Sequence, residues 1–151
     1  MKKIKEILNK KNKTKIICLT AYSKNIAEVI DQFTDLILVG DSLGTALYDY
    51  NTTRKVTLGM MIEHGKSVRK GVLKSLLVFD MPFNTYRTKK EAYKNCKRVI
   101  KETRCDAIKL EGGIKIVSII KYLVNKKIPI MGHLGILPQS VKGKFKFKGK
   151  K

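Results

Sequence analysis

A parallel α/β fold is predicted by three observations in this 151-residue sequence. Short apolar, β-branched runs alternate with segments whose apolar residues recur every three to four positions. The alternation repeats about every 30 residues, the length of a βαβ unit. Polar groups recur where each apolar run ends. Right-handed βαβ connections then follow, which leaves a doubly wound sheet or a closed barrel as the architecture.

Each element has its own signature. Residues 3–11 place Ile4, Ile7 and Leu8 on one side of a helix. Residues 15–21 (KIICLTA) form a β-branched run expected to be a buried strand. Residues 23–32 are helical, with Ser23 as a candidate cap and Ile26, Ala27 and Ile30 on the apolar face. Residues 35–40 (DLILVG) give a second buried strand, ended by Asp41, Ser42 and Gly44. A polar connection through Asp49, Tyr50 and Asn51 leads to a helix over 58–72. The third strand is 75–79 (SLLVF), closed by Asp80 and Pro82. Residues 88–103 are helical, with Ala92, Cys96 and Val99 at spacings of four and three. The fourth strand is 106–110, followed by Glu111, Gly112 and Gly113. Residues 114–125 are apolar and helical, and the fifth strand, 128–131, is followed by Gly132 and His133.

Composition excludes several classes. Hydrophobic residues make up 43% of the chain, too many for a wholly disordered polypeptide. No apolar run approaches the roughly 20 residues that span a bilayer, so no membrane partner is expected. Residues 1–15 are charged throughout without the apolar stretch of a signal peptide, and the expectation is a cytoplasmic protein. Cys18, Cys96 and Cys105 have neither CxxC nor zinc-finger spacing and read as reduced, space-filling thiols.

The 33 basic against 12 acidic residues give a formal charge of +21, which raises the question of nucleic acid. The type of base argues against it. Twenty-eight are Lys and five are Arg (Arg54, Arg69, Arg87, Arg98, Arg104), whereas nucleic-acid readers favour the planar guanidinium. The lysines are spread over every helical segment, dense only at the start and in the Lys-rich tail, Lys142 to Lys151. With 17 Ile, they read as compositional drift toward A- and T-rich codons. A basic module binding RNA or DNA through that tail is the minor alternative.

Thr20 follows the first strand, Asp41 and Ser42 the second and Asp80 the third. Lys109 and Glu111 mark the fourth, and His133 follows the fifth. In a parallel α/β fold these ends share one rim, where ligands bind. Two short carboxylates on that rim with a third nearby suit Mg²⁺, which keeps waters and completes its shell from substrate. Lys109 beside them is placed to pair with a substrate carboxylate. His133 either orients a loop or touches ligand, and His64, inside a helical stretch, reads as a surface or helix-packing residue. Gly112-Gly113 and GDSLG (40–44) match neither a P-loop nor a dinucleotide fingerprint, and no G-x-S-x-G elbow is present.

Four segments occur in fixed order: VGDSLG (39–44), FDMPF (79–83), IKLEGG (108–113) and GHLGILPQS (132–140), with TAY (20–22) ahead of them. Together they resemble the 3-methyl-2-oxobutanoate (ketopantoate) hydroxymethyltransferase family, from about Lys15 to the last residues. The resemblance implies a (β/α)₈ barrel that uses Mg²⁺ and 5,10-methylenetetrahydrofolate to add a hydroxymethyl group to 3-methyl-2-oxobutanoate, giving 2-dehydropantoate for pantothenate synthesis. It implies homo-oligomers as well. By motif, Asp41 and Asp80 resemble the direct Mg²⁺ ligands and Glu111 the third acidic residue of the metal site. Asp41, Ser42, Asp80 and Lys109 resemble the keto-acid contacts. A 2-keto acid chelates such a metal through its carboxylate and keto oxygens, and the metal steadies the enolate formed as the C3 proton leaves.

The chain departs from the family at Asp49 and Tyr50, where Gly and His are usual, and at Leu137, where Thr is common. FKFKGK (145–150) resembles the family's segment just after the fifth strand. A whole barrel of this kind needs about 250 residues, so the expectation is the N-terminal part of a single barrel domain, 1–151, with its first five βα units. The family's general base is a glutamate on a later strand; its position falls beyond Lys151, and no residue here matches it. The resemblance therefore implies a transferase by family whose activity in this chain is open, with a truncated, catalytically inactive remnant as the alternative.

Overall fold

The structure, a computed structural model, describes residues 2–140. The Lys-rich tail from Lys142 to Lys151 lies outside the described residues, and with it the sequence reading that placed the general base beyond Lys151. The chain runs α1 (Lys2–Asn9), β1 (Cys18–Thr20), α2 (Lys24–Ile30), β2 (Leu36–Val39), α3 (Leu43–Leu47), α4 (Leu58–Gly71), β3 (Leu76–Asp80), α5 (Lys89–Thr103), β4 (Ala107–Glu111), α6 (Val117–Asn125) and β5 (Ile130–His133). Short 3-10 turns lie at Thr53–Lys55, Gly113–Ile116 and Pro138–Ser140. All five strands are parallel and stand in the order of the sequence, β1-β2-β3-β4-β5. The alternation read from the sequence is thus the architecture.

Register separates two faces. Ile37 pairs with Leu77, and Val39 with Phe79. With Ile108 and Leu110 they form the face against the helices, and all six are fully buried in the main core. The opposite face carries Leu36 and Leu38 on β2, Leu76, Val78 and Asp80 on β3, then Ala107, Lys109 and Glu111 on β4. It is apolar at the strand starts and charged at their ends. Its apolar half makes a second cluster of Leu36, Leu76, Val78 and Ala107, against which Ile4 and Ile7 of α1 pack. An apolar cleft of about 440 Å³ lies there between α1 and the strand starts, reached by Cys18, Ile130 and Met131 of the edge strands.

The helices are set by local chemistry. Thr57 caps α4 by accepting from the Met60 amide at 3.2 Å. Thr88 caps α5 by accepting from the Glu91 amide at 3.2 Å, while Glu91 Oε2 accepts from the Arg87 amide at 3.0 Å, a variant of the capping box. Ser23 precedes α2 but makes no side-chain cap bond. Gly71 lets α4 meet α2: a Cβ there would stand 2.4 Å from the Lys24 carbonyl oxygen and 2.8 Å from the Glu28 amide nitrogen.

Carboxylates fasten the strand starts. Asp31, at the end of α2, accepts from the amides of Leu73, Lys74 and Ser75 at 2.9, 2.8 and 2.9 Å. Burial would raise its pKa, but those amides outweigh burial and hold it below the ordinary value. Asp35 accepts from Lys10 and from the Ile17 amide, which hold its carboxyl below the ordinary range. Asp106 Oδ2 accepts from the Leu77 amide at 2.8 Å.

Four expectations need correction. β1 is exposed along its length rather than buried. It is an edge strand, so its β-branched run has helix and sheet neighbours on one side only. Cys18 consequently lies exposed, whereas Cys96 and Cys105 are buried as expected. The apolar segment 114–125 opens with a 3-10 turn and becomes α-helical only at Val117. The polar connection after the second strand also begins with a helix, α3, which its sequence did not announce.

Candidate functional site

The site lies at the C-terminal ends of the strands. Asp80 closes β3 and pairs in register with Lys109 of β4; Glu111 closes β4 and pairs with His133 of β5. Alternation along each strand therefore points Asp80, Lys109 and Glu111 to the same face. Asp41 and Ser42 follow β2, at the turn into α3. Gly44 makes that turn fit: a Cβ there would stand 2.5 Å from Val56 Cγ2. Asp49, where the resembled family usually has Gly, has a φ of 50°, a left-handed conformation that Asp tolerates better than most residues.

The three acids are buried, with Asp41 6%, Asp80 2% and Glu111 5% exposed. Lys109 Nζ donates to Asp80 Oδ2 at 2.5 Å. Asp80 Oδ1, equally buried, has no hydrogen-bond partner. Burial raises the Asp80 carboxyl to about 7; Lys109 opposes that rise, and the charges of Asp41 and Glu111 add to it. Burial also raises Asp41 and Glu111, and Gln139 hydrogen bonds counter it at both. His133 Nδ1 lies 3.3 Å from Glu111 Oε2 without a well-formed hydrogen bond. Burial, then the Lys109 cation, holds His133 below its ordinary value.

Sequence reasoning did not single out two residues that bind this cluster together. Gln139, in the 3-10 turn after β5, is buried and donates through Nε2 to Asp41 Oδ2 at 2.9 Å and to the Met81 carbonyl at 3.0 Å. Its backbone amide donates to Glu111 Oε1 at 2.8 Å. The buried Tyr86 hydroxyl lies 2.6 Å from Gln139 Oε1 and 2.9 Å from the Glu111 carbonyl oxygen, one proton facing two acceptors. The available signal was an amide in a turn beside the strand-end rim, inside a motif already noted. A cleft of about 230 Å³, lined in part by Phe83, Arg87, Glu111, Lys115 and Gln139, opens beside the cluster.

Ser42 is held from the other side, its Oγ 2.8 Å from the Tyr22 hydroxyl. His64 links the same loops: Nδ1 donates to the Tyr22 carbonyl at 2.6 Å, which leaves Nε2 to accept from the Tyr48 hydroxyl at 2.9 Å. His64 is therefore a loop-fastening residue, not a bare surface one. Thr20, exposed on the edge strand, is not part of the buried set.

The arrangement fits a small divalent cation held by few protein ligands. No three His, Cys, Asp or Glu side chains among the described residues converge as a ligand cluster. Mg²⁺ does not require one, since it is bound through one or two carboxylates with waters and substrate completing its octahedron. The unpartnered Asp80 oxygen, next to two acids whose charges raise its pKa, is the kind of group such a cation satisfies.

A family model described as ketopantoate hydroxymethyltransferase matches residues 1–151. The 3-methyl-2-oxobutanoate hydroxymethyltransferase of Pelagibacter ubique (strain HTCC1062) is 66% identical over 149 residues, 99% of this chain and 58% of its own length. The protein of that name from Anaplasma marginale (strain St. Maries) is 50% identical, covering 97% of this chain and 54% of its own length. The chain thus spans less than two thirds of the curated relatives it matches. Among solved structures, phosphonopyruvate hydrolase complexed with oxalate and Mg²⁺ superposes with a TM-score of 0.61 at 12% identity, over 73% of this chain and 38% of that one. A 2,3-dimethylmalate lyase of the PEP mutase/isocitrate lyase superfamily gives 0.59 at 11% identity, over 86% and 49%. At such identities the likeness shows the fold, five βα units of a (β/α)₈ barrel. The chain belongs to the ketopantoate hydroxymethyltransferase family.

Proposed function

From that membership, we propose that the chain carries the metal- and keto-acid-binding part of a 3-methyl-2-oxobutanoate hydroxymethyltransferase of pantothenate biosynthesis. The reaction transfers a hydroxymethyl group from 5,10-methylenetetrahydrofolate to 3-methyl-2-oxobutanoate, giving 2-dehydropantoate. One observation carries the reading: on a buried rim where Asp41 and Glu111 oppose the ionisation of Asp80, Asp80 keeps an oxygen without a hydrogen-bond donor among the described residues.

Asp41 and Asp80 would hold Mg²⁺ directly, with Glu111 as the third acidic residue of the site. Mg²⁺, when bound, would chelate the 2-keto acid and offset the charge that develops as C3 loses its proton. Lys109, its Nζ 2.5 Å from Asp80 Oδ2, keeps a cation beside the acids and would balance the keto acid's carboxylate. Asp41 and Ser42 would complete the keto-acid contacts, with Ser42 Oγ fixed by the Tyr22 hydroxyl. His133, next to Glu111, is assigned to the edge of the site. No residue up to Lys151 is assigned the base that takes the C3 proton, and removal of such a base costs about 10²–10⁴ in rate. The three free thiols fit a reducing cytoplasm. Exposed Ile114 and Leu134, on the neighbouring loops after β4 and β5, fit association into the homo-oligomer that the family implies.

Calorimetry with 3-methyl-2-oxobutanoate in the presence and absence of Mg²⁺ tests the site. Keto-acid binding that requires Mg²⁺ and is lost in Asp80→Asn is expected; binding indifferent to both would overturn the reading. Assay of 2-dehydropantoate with methylenetetrahydrofolate present tests the rest, because turnover at ordinary enzyme rates would show that the chain supplies its own base.

A further inference from the structure

We propose that Gln139 is the positioning residue of the carboxylate cluster, holding Asp41 and Glu111 at once so that their remaining oxygens face a shared cation. The inference rests on the divalent-cation reading above and names what builds that site.

Each acid has one oxygen engaged by a fixed donor. Lys109 engages Asp80, and Gln139 engages both of the others, Asp41 through Nε2 and Glu111 through its backbone amide. The second N–H of the Gln139 amide goes to the carbonyl of Met81, the residue after Asp80. One residue therefore ties together the ends of β2, β3 and β4, the first two through its side chain and the third through its backbone amide. Its orientation has no freedom: the NH₂ faces two acceptors, and Oε1 faces the Tyr86 hydroxyl at 2.6 Å. A residue that only filled this space would need no such set of partners, and an amide buried to 4% exposure would be costly without them. Groups that orient metal ligands in this way set metal affinity.

Mn²⁺ alone serves as the probe, titrated into the full chain and followed by electron paramagnetic resonance. Gln139→Met keeps the length and removes the side-chain hydrogen bonds; it is expected to weaken Mn²⁺ binding about 10- to 100-fold. Tyr86→Phe removes only the hydroxyl that orients the amide and should weaken binding several-fold in the same direction. The double variant should bind no more weakly than Gln139→Met, because the hydroxyl acts through the amide. Unchanged Mn²⁺ affinity in a folded Gln139→Met, even with a lowered Tm, would overturn the proposal as a structural role. If Gln139→Met does not fold, Tyr86→Phe decides: weakened binding with unchanged near-ultraviolet dichroism supports the proposal, and unchanged affinity overturns it. Failure of the unsubstituted chain to bind Mn²⁺ overturns the divalent-cation reading itself, and the positioning role with it.

Discussion

The acids at the two ends of the sheet are of the same chemical kind and opposite in behaviour. At the strand starts, Asp31 and Asp35 accept backbone and lysine donors and are held below the ordinary carboxylate range. At the strand ends, Asp41, Asp80 and Glu111 are buried beside one another and raised above it. The lower set is held in its charged form by donors that the fold supplies. The upper set is kept charged only at a cost, and it concentrates acceptors on one rim. Surface exposure alone does not separate the sets, since Asp31 is no more exposed than Asp41. The number of donors facing each carboxylate does.

The largest test of this contrast is Asp31→Ala, which strips three amides of their acceptor and should destabilise the chain by about 3 kcal/mol in urea unfolding. Asp80→Asn should destabilise the same transition less than Asp31→Ala at pH 7, because removing a buried carboxyl raised to about 7 offsets the loss of the Lys109 ion pair, while it abolishes Mg²⁺-dependent keto-acid binding; an equal or larger loss of stability would erase the distinction. Next comes pH, with metal removed by EDTA. Asp80 titrates near 3.8 when unfolded and about 7 when folded, so between those values the folded state binds more protons and stability falls as pH rises. A decline on the order of 2 kcal/mol from pH 5 to 7, flattened in Asp80→Asn, is expected from urea midpoints. The lower acids have the opposite sign: their contribution is present above the unfolded value and is lost as pH falls through the lowered folded one. Asp106→Ala, which frees the single Leu77 amide, should cost about 1 kcal/mol. Smallest is Glu28→Ala, which breaks an exposed pair with Lys24 and should cost under about 0.5 kcal/mol by the same measurement.

Much of this was legible from local pattern. The five apolar runs became the five strands, with ends shifted by up to three residues, and the strand-end rule found Asp41, Asp80, Lys109, Glu111 and His133 because a parallel sheet sends successive ends to one side. Gln139 and Tyr86 were missed because their roles come from distant partners. Gln139 meets Asp41 across 98 positions and Tyr86 across 53, and no period in the sequence encodes such meetings. The exposure of β1 was missed for a related reason, since β-branched content reports a strand and not how many neighbours that strand has. The lower acids, too, gave no sign in the sequence of which amides they would hold.

The helix α1 has a consequence for traffic. Ile4 and Ile7 sit across the starts of the central strands, and the cleft beneath them is lined by hydrocarbon. A charged molecule would have to shed its hydration to pass there, a cost of several kcal/mol that the hydrocarbon lining does not repay. Among the described residues, the sheet thus offers a charged molecule approach from the strand ends and an oily barrier at the strand starts, so the two ends of the same layer sort solutes by their hydration.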